Sequence, residues 1–274
     1  MELYKSVSYE LSKYLTERYS TSFSMSSRLF DHTIRSDIYA IYGLVRIADE
    51  IVDTYRGADA KSLLENLEHT TYAAIERGYD TNPIVHSYAL TAKKYGIDRQ
   101  LIQPFFASMA MDLVPAEYTD ELYETYIYGS AEVVGLMCLR VFCEGNDTRY
   151  EELKLGAQAL GSAYQKVNFL RDIAADYQEL GRLYFPGVTY ETFDDEQKRQ
   201  IVADIENDFE KARAHADKLP ANSRRAVKLS ISYYGELLAR IKTTSAARLK
   251  TERVRIGDTR KVLLLVGATL GVGR

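Results

Sequence analysis

The chain has 274 residues, of which 46% are hydrophobic and 27% are charged, and its formal net charge is −4. This composition is that of an ordinary globular protein, and it excludes both a disordered chain and a strongly basic nucleic-acid-binding protein. No stretch rich in Pro, Gly or Ser separates two halves of the sequence. We therefore expect a single domain over residues 1–274.

Helical periodicity runs through the chain and strand alternation is absent, which predicts an all-α fold. We expect a first helix at 3–18, followed by a break at 20–27. The hydroxyls and backbone N–H groups of this break could receive phosphate, with a simple serine-rich connector as the alternative. A long helix should begin after Asp31 and end near Tyr55. Helices near 59–77, 83–95 and 98–113 should follow, the last of them kinked at Pro104.

Thr119 is expected to cap the next helix, which continues through about residue 142 and has several small residues in its middle. These small residues allow either close helix packing or space for a long apolar ligand. Thr148 and Glu151 form a predicted capping box for a helix that ends at Gly181. Long helices at about 194–218 and 221–241 should follow, with a shorter helix from about 258.

The start of the sequence carries no apolar signal core, and the longest apolar run, residues 262–273, is shorter than the roughly 20 residues that span a bilayer. We expect this run to be a last helix packed on the body, with contact at a membrane surface as the alternative. Cys138 and Cys143 lie in an apolar helical run, as reduced core thiols do. These features predict a cytoplasmic protein with no obligate protein partner, either free or peripheral to the inner face of the membrane.

The stretch 160–186, LGSAYQKVNFLRDIAADYQELGRLYFP, places oxygen donors along one helical face. Gln165, Asn168, Asp172 and Asp176 fall at i, i+3, i+7 and i+11, and apolar residues occupy the opposite face. Carboxylates at i and i+4 repel each other unless a cation lies between them. Hard oxygen ligands select Mg²⁺ or Mn²⁺, and Mg²⁺ usually completes its shell with water and phosphate oxygens. The pattern predicts a metal-bridged phosphate site, with a solvated acidic face as the alternative.

A second charged stripe lies in residues 38–53, IYAIYGLVRIADEIVD, on an otherwise apolar helix. Its members at i, i+4, i+7 and i+11 are Tyr42, Arg46, Asp49 and Asp53. Buried charges persist only when paired or bound to metal, so this stripe predicts a polar cavity. A third pair with the same spacing, Asp204 and Asp208, lies among charged neighbours and is expected to be a solvated face.

Four stretches resemble the signatures of the squalene/phytoene synthase family and follow the family's order. They are STSF at 20–23, RIADEIVD at 46–53, YIYGSAEVVGLM at 126–137, and the stretch 160–186 with its final R-x-Y-x-P. Within this family the sequence looks most like bacterial phytoene synthases. The resemblance implies the isoprenoid synthase fold, an all-α bundle of about ten helices around a central cavity. It also implies a prenyltransferase of carotenoid biosynthesis that joins two geranylgeranyl diphosphates head to head.

The resemblance assigns roles to individual residues. The implied Mg²⁺ ligands are Asp49, Asp53, Asn168, Asp172 and Asp176, and the four aspartates with Tyr42 form the implied catalytic set. The implied substrate-binding residues are Ser22, Phe23, Arg46, Tyr126, Tyr128, Gln165, Asn168, Arg171 and Arg182. Magnesium or manganese and prenyl diphosphates are the expected cofactor and substrates, and no NADPH is expected.

Three other functions stay open at this level. The same family includes enzymes that make squalene or dehydrosqualene from farnesyl diphosphate. A related enzyme could stop at the cyclopropyl diphosphate or hydrolyse it. A non-catalytic assembly protein related to the family is the third alternative, although a binding module has no use for paired metal sites.

Overall fold

The computed structural model describes residues 1–55, 57–114, 118–180, 183–257, 260, 261 and 265, and within the helices it leaves the side chains of residues 21, 22, 179 and 180 undescribed. The described ranges are helical and contain no strand, so the predicted all-α class is confirmed. The predicted helix from about 258, the apolar run at 262–273 and the helix end at Gly181 lie wholly or mostly outside the described residues. No helix of the described part is both long and apolar enough to cross a membrane.

The helices are numbered in chain order. They are α1 Glu2–Tyr19, α2 Thr21–Ser27, α3 His32–Asp49, α4 Ala60–Arg77, α5 Pro83–Tyr95, α6 Arg99–Met111, α7 Asp120–Ile127, α8 Val133–Phe142, α9 Asp147–Leu180, α10 Asp195–Ala216, α11 Ala221–Thr243 and α12 Ala246–Leu249. Two π-helical turns, Glu50–Thr54 and Tyr128–Glu132, extend α3 and join α7 to α8.

Side-chain caps fix several helix starts. Asp31 accepts a hydrogen bond from the backbone N–H of residue 33 at 2.9 Å, and Thr119 accepts one from that of residue 122 at 3.3 Å, so both predicted caps are confirmed. The serine-rich connector is wrong, because Ser20 caps the short helix α2 there. The capping box at Thr148 is also wrong. Helix α9 begins at residue 147, and Asn146 accepts from the backbone N–H of residue 149 at 3.0 Å.

The two π turns explain where the predicted helices change direction. Residues 32–55 and 120–142 were each expected to be one α-helix, and each instead contains a turn with i→i+5 bonding. Such turns are rare and occur frequently at functional sites. A π turn rotates the following residues relative to the 3.6-residue period. The first π turn therefore points Asp53 in a different direction around the helix axis from that expected for a regular helix.

Helix α9 is the central element, about 51 Å long at 1.5 Å per residue. It packs against α8, α10, α11 and the second π turn. The small residues predicted to permit close packing do so: a Cβ at Gly135 would lie 2.9 Å from the carbonyl oxygen of Ala157, and one at Gly161 would lie 2.6 Å from that of Ala131. This close approach brings the backbones of α8 and the second π turn against the face of α9 that borders a cavity.

Candidate active site

A cavity of about 320 Å³ lies among α2, α3, the second π turn, α8, α9, α10 and α11. Its wall is mostly apolar. On α9 the lining residues all fall on one face, from Leu153 through Gly156, Ala157, Leu160, Gly161 and Tyr164 to Gln165 and Asn168. From Leu153 to Asn168 this face extends about 22 Å. The cavity is therefore a long apolar space that runs parallel to the central helix.

The two ends of the cavity differ in chemistry. At the end where α9 begins, the rings of Phe30 and Phe142 stack with centroids 5.3 Å apart and form an apolar wall. At the other end, Gln165 and Asn168 present amides, and the Asn168 Oδ1 atom is buried with no hydrogen-bond partner among the described residues. A long apolar molecule with one polar end fits this arrangement, with its polar end at Asn168.

The first charged stripe lies at the end of α3 and in the first π turn. The Arg46 guanidinium forms ion pairs with Glu50 and, at 3.9 Å, with Asp49, and it stacks 4.4 Å above the ring of Tyr19. Burial, and then the charge of Asp53, raise the pKa of Asp49 to about 7. Two carboxylates thus lie close enough for one to resist ionisation beside the other, which a bound cation would relieve.

The second charged stripe continues the face of α9 that borders the cavity. Asp172 accepts two hydrogen bonds from Arg171, at 2.9 and 2.5 Å, and Arg253 contacts it at 2.7 Å. Burial, and then the charges of Asp172 and Asp53, raise the pKa of Asp176 to about 7. Because the charge of Asp53 acts on both Asp49 and Asp176, the two stripes share one polar region.

Aromatic rings lie between this polar region and the cavity. Phe23 lines the cavity, and its ring stacks on Tyr42 with centroids 5.0 Å apart. Tyr164 and Tyr234 also line the cavity and stack at 3.9 Å. Burial raises the pKa of Tyr42, so its hydroxyl stays protonated at neutral pH. Such ring faces can stabilise a cation without bonding to it.

The donor set fits a magnesium ion that keeps other ligands. Among the described residues no group of three or more Asp, Glu, His or Cys side chains is placed to hold a metal by itself. Mg²⁺ is usually held by only one or two carboxylates, with water and substrate phosphate oxygens completing the octahedron. The orphaned Asn168 oxygen and the two carboxylates with raised pKa values supply donors of the right kind.

Two predicted site residues do not line the cavity, and two others are not described. The buried Tyr126 does not line it, but its hydroxyl donates at 2.9 Å to Asp112, whose charge acts on Asp49. Tyr128 lies in the second π turn and packs on the core without lining the cavity. The side chain of Ser22 and the whole of Arg182 fall outside the described residues.

Two residues near the site were missed at the sequence level. Asp112, at the end of α6, adds its charge to those that raise the pKa of Asp49. Arg253 follows α12 and reaches Asp172, 81 positions away in the chain. No periodic pattern marks either residue, since Asp112 ends an apolar helix and Arg253 lies in an irregular segment. Only the fold brings them to the acidic region.

The prediction that Asp208 lies on a solvated face of its helix, α10, is wrong. Its side chain is 10% exposed, and it accepts hydrogen bonds from Lys166 at 2.7 Å and Ser162 at 2.8 Å. Asp204 is 53% exposed but also binds Lys166, at 2.5 Å. Helix α10 packs on α9 along this face, so this acidic pair is an ionic contact between two helices.

A sequence model described as Squalene/phytoene synthase matches residues 16–260. The chain belongs to the squalene/phytoene synthase family. It is 26% identical to a 4,4'-diapophytoene synthase from Staphylococcus haemolyticus, over 85% of this chain and 87% of that protein. It is 34% identical to a phytoene synthase from Arthrospira platensis, over 66% of this chain and 62% of that relative. The chain thus spans less than two thirds of the second relative's length.

Solved structures of this family share the fold. A dehydrosqualene synthase in complex with a ligand superimposes with a TM-score of 0.81 at 20% identity, covering 98% of this chain and 97% of the other. A squalene synthase from Alicyclobacillus acidocaldarius gives a TM-score of 0.76 at 22% identity, covering 87% and 94%. These likenesses agree with the predicted isoprenoid synthase architecture.

Proposed function

We propose that this protein is a phytoene synthase, which joins two geranylgeranyl diphosphates through a cyclopropylcarbinyl diphosphate. Family membership and relatives named as phytoene and diapophytoene synthases support a prenyl-transferring enzyme of carotenoid biosynthesis. The observation that carries the proposal is the long apolar cavity with amides and two acidic stripes at one end. An allylic diphosphate has the same polarity, with a charged head and an apolar tail.

The length of the cavity favours a C20 substrate over a C15 substrate. With C–C bonds of about 1.5 Å, each five-carbon unit of an extended prenyl chain covers about 5 Å. Four units then need about 20 Å and three units about 15 Å. The lining face from Leu153 to Asn168 measures about 22 Å. A geranylgeranyl tail would end near the stacked rings of Phe30 and Phe142, whereas a farnesyl tail would leave space there.

Each charged group has a role in this proposal. Asp49, Asp53, Asn168, Asp172 and Asp176 would hold Mg²⁺, which when bound supplies Lewis-acid neutralisation of a leaving diphosphate. The guanidinium groups of Arg46, Arg171 and Arg253 offer forked donors to diphosphate oxygens. Gln165 and the rings of Phe23 and Tyr42 would position the first prenyl carbons. Ser22 and Arg182 stay in the proposed substrate-binding set because of the family resemblance.

The reaction needs no external reductant on the phytoene route. The C–O bond of one substrate breaks, and its electron pair leaves with the diphosphate. The double bond of the second substrate attacks the allylic cation, and loss of a proton closes the cyclopropane ring. The second diphosphate then leaves, the carbon skeleton rearranges, and loss of another proton gives the triene. The apolar walls exclude water that would otherwise capture the cations.

A product assay tests the proposal directly. Purified protein is incubated with Mg²⁺ and either geranylgeranyl or farnesyl diphosphate, with and without NADPH, and products are identified by mass spectrometry. We expect a C40 triene from geranylgeranyl diphosphate without NADPH, and none in excess EDTA. A C30 hydrocarbon from farnesyl diphosphate alone would establish the alternative enzyme instead. Accumulation of the cyclopropyl diphosphate, or no product at all, would exclude a phytoene synthase.

The C30 synthase is the second candidate, because the diapophytoene synthase of S. haemolyticus matches over most of its length. A substitution at the far end of the cavity separates the two. Leu153 is buried there, while Leu155 on the same helix is 71% exposed and serves as the control. We expect Leu153→Trp to lower kcat/KM for the C20 substrate at least about tenfold more than for the C15 substrate, roughly 1.4 kcal/mol of discrimination. Leu155→Trp should change neither value, and equal effects of Leu153→Trp on both substrates would contradict the C20 assignment.

A further inference from the structure

Helix α1 turns small polar side chains inward and large apolar ones outward. Its fully buried residues are Ser8, Ser12 and Thr16. Four large side chains lie on the other face and are exposed by 80, 38, 41 and 61%, respectively: Leu3, Val7, Leu11 and Tyr14. They recur at i, i+4, i+8 and i+11 and so form one continuous row, here called the α1 stripe.

Packing dictates the inward face. The Ser12 hydroxyl lies 2.8 Å from that of Ser87 on α5, and a Cβ at Gly43 on α3 would lie 3.1 Å from the Ser12 Oγ atom. The helices approach too closely there for a leucine. Packing therefore fixes which way α1 faces, but it does not require apolar residues on the outer side. A surface helix ordinarily places polar residues outward, and contiguous exposed apolar residues mark an interaction surface.

We propose that the α1 stripe docks the protein on a lipid surface, with α1 lying in the plane of the interface. The stripe has four residues, whereas a stable protein interface uses about 20–30 on each side. The amphipathic Tyr14, which belongs to the stripe and is 61% exposed, suits the boundary between water and lipid.

The position of α1 agrees with this role. Its last residue, Tyr19, lies under the Arg46 guanidinium, and the next, Ser20, lines the cavity. The stripe therefore leads along the surface towards the polar region of the candidate site. The choice of a lipid partner rests on the proposed function, because that function's substrates and product are isoprenoid lipids that partition into membranes.

The charges on α1 make the interaction distinguishable from electrostatic adsorption. Three acidic and three basic side chains are present on the helix, at positions 2, 10, 17 and 5, 13, 18. Binding through the stripe should therefore occur on neutral phosphatidylcholine vesicles and should change little when the salt concentration is raised. Adsorption driven by charge would require anionic lipid and would fall steeply with salt.

The test is co-sedimentation of the full chain with neutral phosphatidylcholine vesicles. The doubly substituted variant Leu3→Gln with Leu11→Gln is compared with Leu155→Gln, which changes a leucine on α9 whose exposure, 71%, lies between those of Leu3 and Leu11. We expect the double variant to lose at least about tenfold in vesicle affinity, and the Leu155→Gln control to bind as the parent does. Both variants should keep the parental melting temperature, since all three positions are exposed.

Three results would overturn the proposal. The first is a parent protein that does not bind the vesicles, and the second is binding that the double variant retains, as it would if the apolar run at 262–273 made the contact. The third is a parental dimer in light scattering that the double variant converts to a monomer, because the stripe would then contact a second copy. Vesicle binding is measured without catalysis. A protein that binds vesicles through the α1 stripe but forms no product would therefore contradict the proposed phytoene synthase activity and leave the docking proposal intact.

Discussion

Replacing Lys166 by methionine tests whether the third acidic pair, Asp204 and Asp208, is an ionic contact between helices and not part of the candidate site. Lys166 lies on α9 with its side chain 10% exposed, between Asp204 and Asp208 of α10. Burial lowers the pKa of Lys166, but the hydrogen bonds and charges of these two aspartates outweigh it, and the net shift is upward. The lysine is therefore charged when folded, and methionine keeps its length while removing that charge.

The expected loss of stability depends on the partners that Asp208 retains in the Lys166→Met protein. Without Lys166, Asp208 retains the Ser162 hydroxyl and a Lys211 ammonium at 3.9 Å, and it stays buried. Removing one partner of a buried ion pair costs about 3–5 kcal/mol, and Asp204, being half exposed, adds little. We expect a loss of about 3 kcal/mol, which for 274 residues lowers Tm by roughly 5 °C.

Thermal melts and steady-state kinetics together test whether the ion pair of Lys166 with Asp208 stabilises the fold without taking part in catalysis. Lys166→Met should melt earlier and keep kcat within about threefold of the parent, because the pair lies off the cavity-lining face of α9. Adding Asp208→Asn to Lys166→Met should recover at least half of the lost stability, since no uncompensated charge would then be buried. A Lys166→Met protein with the parental melting temperature would contradict the assignment of Lys166 and Asp208 as a stabilising buried ion pair.

The remaining predictions concern the candidate site. Asp172→Asn should lower kcat at least about 100-fold, roughly 3 kcal/mol of barrier, while Asp204→Asn should change it less than threefold; equal losses in steady-state assays would mean that the wrong pair has been assigned to catalysis. Arg253→Gln should raise KM for the diphosphate more than it lowers kcat, and an unchanged KM would remove Arg253 from the site. The pKa of about 7 for Asp176, against an unfolded value of 3.8, means that the folded, metal-free protein binds more protons between these values. Its free energy of unfolding should therefore rise as pH falls from 8 to 6, by about 1 kcal/mol from this group. Denaturant titrations in EDTA should show a weaker pH dependence for Asp176→Asn, and an equal dependence would contradict the raised pKa.

The sequence predicted the helices well wherever the 3.6-residue period continues without interruption. Helices α1, α4, α5, α6, α10 and α11 lie within a few residues of their predicted bounds. The two π turns were missed because i→i+5 bonding leaves no distinct mark in an apolar pattern. The start of α9 was misassigned because both Asn146 and Thr148 are good capping residues, and hydrogen bonding in the fold chose the first.

Side-chain partners in the site were less predictable than helix faces. The expected face of α9, with Gln165 and Asn168, does border the cavity, because helical geometry alone fixes which residues lie together. Tyr126 lies just before the second π turn, which carries the cavity residues Ser130 and Ala131, yet its ring packs in an aromatic cluster and its hydroxyl donates to Asp112. Spacing along one helix determines a shared direction, but it does not determine which neighbouring helix lies there.

The same limit explains why Asp172 and Asp208 could not be separated by their local patterns alone. Each belongs to a D-x-x-x-D pair on a long helix, and each lies beside a cation in the folded chain. The cation partnering Asp208 is Lys166, whose side chain is 10% exposed at the contact between α9 and α10. The cations at Asp172 come from its own neighbour Arg171 and from Arg253 in the segment after α12. Asp172 lies about one turn beyond Asn168, which lines the cavity, and its charge and that of Asp53 both act on Asp176. These two acidic pairs have the same spacing but different surroundings, because one joins α9 to α10 and the other follows the cavity-lining face of α9. Under the proposed function, the second pair is the one that exchanges its arginine partners for a metal-bound diphosphate.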